Sequence, residues 1–192
     1  MHLSEPFRAL SDRYLARLFL ATLVPTIVLV FVMRSLGAPL VNSVAPAGII
    51  SYELAADYAS STAILESWSF LDRIYAGISL GVDFLFLFFY SVCIGTGCAL
   101  GARKLEGIPA NLGRMIAWGA LAAGILDMIE NISLVRLLNG SGTEWLPALA
   151  TVAAIGKFAL VITGLLFIVI VHPTVFLRSR RKSIGSGGPA IA

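Results

Sequence analysis

The sequence predicts an all-α polytopic membrane protein: a bundle of four transmembrane helices running up and down, with a short extracytoplasmic interfacial helix. Three observations predict it. Of the 192 residues, 58% are hydrophobic and only 13% charged, for a mean hydropathy of +0.89. A soluble domain carries about 25% charged residues, so this composition excludes a disordered chain, a nucleic-acid-binding domain and an ordinary cytosolic enzyme. The apolar residues fall into four runs, each near the length of about 20 residues that crosses a bilayer. The basic residues collect on one side of the topology that those runs define.

The first run covers about residues 15–33, between Arg13 and Arg17 before it and Arg34 after it. Arginines at its ends snorkel to the interface, and Pro25 is expected to kink it. Its long polar lead and the further spans after it read as a membrane span and not as a cleaved leader. The second run covers about residues 74–100 and contains Asp83. The third covers about 112–138 and contains Asp127, Glu130 and Asn131. The fourth covers about 146–171 and contains Lys157, with Pro173 expected to stop it. Residues 1–177 thus form one transmembrane domain.

Residues 35–72 form the long extracytoplasmic loop between the first two runs. Gly37, Pro39, Pro46 and Gly48 read as loop. Ser61 or Thr62 then caps a short helix with Ile64, Leu65 and Trp68 on one face. Such a helix either lies on the bilayer with Trp68 at headgroup depth or packs over the bundle mouth. The basic, Gly/Ser-rich stretch 178–192 reads as a disordered cytoplasmic tail anchoring the topology.

Four spans put both termini on one side. Ten of the fourteen basic residues then share it: Arg8, Arg13, Arg17, Arg103, Lys104, Arg114, Arg178, Arg180, Arg181 and Lys182. The excess of Lys and Arg makes that side cytoplasmic and places the chain in a plasma or inner membrane. Glu53, Asp57, Glu66, Asp72 and Glu144 fall outside. The net charge of +3 therefore reports orientation, not a polyanionic partner.

The informative charges are those within the runs. Each charge in hydrocarbon opposes insertion by about 2.5–3.5 kcal/mol, so Asp83, Asp127, Glu130 and Lys157 must meet one another, water or a ligand. At about 1.5 Å of rise per residue, Asp83 lies about 14 Å from the outer end of its run, Lys157 about 16 Å, Asp127 about 16 Å and Glu130 about 12 Å. The four share one layer. Asp127, Glu130, Asn131 and Leu134 form a single helical stripe, as do Ser79, Asp83, Phe86 and Tyr90. Asp83, Tyr90, Asp127, Glu130, Asn131 and Lys157 are the candidate polar site. Asp72, Arg73 and Arg136 are candidates for pairing across the bundle mouth.

Excess carboxylate around one lysine keeps at least one acid protonated, a property useful to a proton relay or an intramembrane acid–base enzyme. The oxygen-rich layer equally suits a lipid, a hydrophobic small molecule or a cation. A purely structural or accessory role, in which the polar groups fix helix register, is the third reading. A transporter of four spans requires a homo-oligomer. Cys93 and Cys98 read as buried apolar side chains. His2 and His172 are too peripheral for intramembrane haem or zinc ligation, so the sequence implies neither a metal nor a cofactor. The pairs Gly77/Gly81, Gly97/Gly101 and Ala120/Gly124 have the spacing of close helix packing.

Two stretches together carry a resemblance: Ile50-Ser-Tyr-Glu-Leu-Ala with Ile64-Leu-Glu-Ser-Trp68 and Ser79-Leu-Gly-Val-Asp-Phe-Leu-Phe86, then Ala117-Trp-Gly with Ala123-Gly-Ile-Leu-Asp-Met-Ile-Glu-Asn131. Over about residues 48–165 the chain resembles small bacterial four-span membrane proteins with an intramembrane Asp-x-x-Glu-Asn segment. That resemblance implies a topology and no activity.

Overall fold

The structure is a computed structural model that describes residues 4–185, with side chains described through Thr174. Every regular element among these residues is helical. The elements are α1 (Asp12–Gly37), a single 3-10 turn at Ala38–Leu40, α2 (Ile49–Glu53), α3 (Tyr58–Ser67), α4 (Phe70–Ala102), α5 (Gly107–Leu138) and α6 (Leu146–Gly185). Three helices are long and apolar enough to cross a membrane: Asp12–Leu40, Phe70–Ala102 and Leu146–Thr174.

The long helices outrun the apolar runs because polar residues at their ends extend them. At the start of α4, Ser69 Oγ accepts from Asp72 N at 3.2 Å, while Asp72 Oδ2 accepts from Ser69 N at 2.9 Å. This reciprocal cap satisfies two end donors. Asp57, not Ser61 or Thr62, caps α3, its Oδ1 accepting from Ser60 N at 2.8 Å. That bond holds the exposed Asp57 carboxyl below its usual range. α6 continues through Pro173 to Gly185 and so passes the expected stop. A proline removes one backbone donor, and beside it the Thr174 hydroxyl donates to Val171 O at 2.8 Å. Residues 178–185, expected as tail, belong to this helix. Residues 186–192 lie outside the described residues.

α4 is the hub, packed on α1, α5 and α6, and α5 also packs on α6. Small residues permit the close approaches. A Cβ at Gly124 of α5 would sit 2.9 Å from Ser91 Oγ of α4, and one at Gly113 would sit 2.8 Å from Ala102 Cβ. At one end of the bundle, Arg103 binds Glu5 and Asp12 and donates to the carbonyls of Phe7 and Leu10. The chain before α1 is thereby strapped across the end of α4.

At the other end, α2 and α3 close the bundle. Trp68 is 2% exposed and packs over the end of the bundle. Its ring lies 5.4 Å from that of Tyr52, and its indole N–H donates to Leu40 O at 2.9 Å. Tyr52, Ile64 and Trp68 pack on Leu134 and Leu137 of α5 and on Leu146 and Ala150 of α6. Burying these rings with a satisfied polar tip outweighs leaving them at a surface. α2 is pinned further: Tyr52 O–H donates to Leu134 O at 3.2 Å, and Thr151 Oγ1 donates to Glu53 O at 3.0 Å.

Candidate functional site

The clamps on α2 turn Glu53 inward, onto the faces of α5 and α6. There the Lys157 ammonium lies 2.8 Å from Glu130 Oε2, 3.0 Å from Asp127 Oδ1 and 3.9 Å from Glu53 Oε2. Tyr90 O–H donates to Asp127 Oδ2 at 2.8 Å, and Asn131 Nδ2 donates to Asp83 Oδ2 at 3.1 Å. Asp127, Glu130 and Asn131 are at most 1% exposed, and Asp83, Tyr90 and Lys157 at most 6%. α4, α5 and α6 thus bring all six candidate residues into one buried layer.

Asp72, Arg73 and Arg136 do not pair across the mouth. Asp72 is held by Ser69, and Arg73 Nε donates to Leu65 O at 2.9 Å. Capping and a local carbonyl satisfy Asp72 and Arg73 more cheaply than a long-range pair between exposed side chains.

Glu53 is the member that sequence reasoning placed outside. It is 6% exposed, and burial pushes its carboxyl above the usual carboxylate range, with the neighbouring Lys157 opposing that rise. Its one local signal is an acid among Ile49, Ile50, Tyr52 and Leu54. The layer therefore gathers four carboxyls, those of Glu53, Asp83, Asp127 and Glu130, around one ammonium. In a medium of low dielectric they cannot all be ionised together. Tyr90, Asp127, Lys157 and Glu130 form a continuous chain of hydrogen-bonded and ion-paired groups.

Beside the layer lies a cavity of about 830 Å³. Glu53, Asp83, Tyr90, Asp127 and Lys157 form its polar part. Its walls are apolar: Leu23 and Val30 of α1, Phe86 and Ile94 of α4, and Val161 and Leu165 of α6. α1 supplies one side of this cleft while packing principally on α4. The volume lies within the 300–1,000 Å³ range of small-molecule sites. No protein-family profile, no curated protein and no solved structure matches the chain.

Proposed function

We propose that the chain is a multi-pass protein of the plasma or inner membrane that binds a hydrophobic small molecule or lipid in the cleft between α1, α4 and α6. The polar end of that molecule sits against Glu53, Asp83, Asp127 and Lys157. The observation that carries this reading is the cavity itself: apolar walls along three helices, with a few convergent polar groups at one place.

Four crossings accord with it. α5 runs antiparallel between α4 and α6 as a fourth long helix of 32 residues. Ten of fourteen basic residues then lie on the side of both termini, which is the cytoplasmic side. In this arrangement α2 and α3 form an extracytoplasmic cap. A second reading, intramembrane acid–base catalysis, is favoured by the chain from Tyr90 through Asp127 and Lys157 to Glu130.

The fluorophore 1-aminoanthracene tests the binding reading in phosphatidylcholine nanodiscs. Saturable binding by the wild type, lost in a folded cleft-filling Val30→Trp variant, supports it. Equal binding by the two proteins refutes it.

A further inference from the structure

We infer that the cleft selects amphiphiles with a primary ammonium head on a single hydrocarbon chain, the head seated against Asp83 and Glu53. This rests on the cleft being a binding site and names the class of its ligand.

The inference follows from counting donors and acceptors around the cavity. Asp83 is 5% exposed and lines the cavity. Its hydrogen-bond partner is the Asn131 amide on Oδ2, and no described cation lies within ion-pairing distance of it. Glu53 is 6% exposed and lines the same cavity, and its Oε2 lies beside the Glu130 carboxyl with no N–H or hydroxyl donor bonded to it. Lys157 approaches Glu53 only to 3.9 Å because Glu130 and Asp127 hold it at 2.8 and 3.0 Å. The Tyr90 hydroxyl is spent on Asp127. Arg34, the other cation of the lining, is exposed in the last turn of α1.

Around Asp83 and Glu53 the cavity is thus rich in acceptors, with the Arg34 donors at an exposed position of the lining. A buried carboxyl without a donor is costly. A ligand that relieves Asp83 and Glu53 as carboxylates must bring donors and positive charge together. A primary ammonium has three donors and no acceptor. A carboxylate head adds acceptors and like charge. A hydroxyl brings a single uncharged donor, and a quaternary ammonium brings charge without a donor. The walls then require an apolar remainder, and an alkyl chain fits a cleft bounded by Leu23, Phe86, Ile94, Val161 and Leu165.

The test displaces 1-aminoanthracene from the full chain in phosphatidylcholine nanodiscs near neutral pH, with four competitors of equal chain length: dodecylamine, dodecyltrimethylammonium, dodecanol and dodecanoic acid. Val30→Trp subtracts partition into lipid. A charge-assisted hydrogen bond corresponds to about tenfold or more in affinity. Dodecylamine is therefore expected to compete at least about tenfold better than each of the others, and Asp83→Asn to abolish that margin. Should Asp83→Asn fail to fold, Glu53→Gln serves, with the margin expected to shrink. Equal competition by dodecanol or dodecyltrimethylammonium overturns the ammonium assignment, as does a margin that survives both variants. Those results leave the binding reading standing. Failure of every amphiphile to displace the fluorophore in a Val30→Trp-sensitive way removes the binding reading itself.

Discussion

Replacing Lys157 with methionine tests whether the ammonium holds the buried layer together. At an effective dielectric of about 20, a charge pair at 3 Å is worth about 5–6 kcal/mol before desolvation. Lys157 makes two such contacts, at 2.8 and 3.0 Å, and a third at 3.9 Å. Desolvation of the ammonium, several kcal/mol, offsets much of that sum, and removal of one partner from a buried ion pair costs about 3–5 kcal/mol net. Methionine has similar length and fills the space, so the loss is electrostatic. Lys157→Met is expected to lose about 3–5 kcal/mol in an SDS-unfolding titration from mixed micelles near neutral pH. The triple variant Lys157→Met, Asp127→Asn, Glu130→Gln should recover most of that loss. A single-variant loss below about 1 kcal/mol, the value of a pair in solvent, would show that the ammonium does not balance these acids.

Glu53 gives the docking of α2 a defined pH dependence. Its folded-state carboxyl is raised above the ordinary value of 4.5. Its contribution is therefore fully present below that value and is lost as pH rises through the raised folded-state value. Protection of residues 49–57 from hydrogen exchange should decline with rising pH, and Glu53→Gln should flatten the profile; a rising profile contradicts it. Trp68→Ala is expected to cost about 3–5 kcal/mol and to expose the α2–α3 segment to limited proteolysis. Gly124→Val places bulk against Ser91 and should cost about 1–3 kcal/mol in thermal unfolding. Arg103→Met removes the strap to Glu5, Asp12 and two carbonyls, so protease should cleave before α1 faster while the bundle persists.

The positions of the long helices were legible because hydrophobic runs of that length leave the backbone few alternatives to internal hydrogen bonding. The convergence of Asp83, Asp127, Glu130, Asn131 and Lys157 was legible for a related reason. A charge inside an apolar run must be met by another polar group, and helical rise gives its depth. Ala120 and Gly124 likewise announced a close approach, which α5 makes to α4 at Ser91. Glu53 was not legible. Its place depends on α2 folding back over α5 and α6, through contacts that Tyr52 makes 82 residues away and Thr151 makes 98 residues away. Trp68 was left open for the converse reason, since a tryptophan near a span boundary suits an aromatic belt and a capped core equally well in local pattern. Pro173 and the arginines after it looked like an ending, yet one missing donor did not stop α6.

The arrangement of the layer along the chain also bears on how the protein is made. Synthesis runs from the N-terminus, so Glu53, Asp83, Asp127 and Glu130 all leave the ribosome before Lys157. A lone lysine entering hydrocarbon opposes insertion by about 2.5–3.5 kcal/mol. Here it follows them on α6, when every acid it contacts has already been made. The acids form a socket before the plug exists, and the lysine of this otherwise strongly apolar helix has its partners waiting. A circular permutation that delivered α6 first would keep every contact of the finished molecule and lose that order.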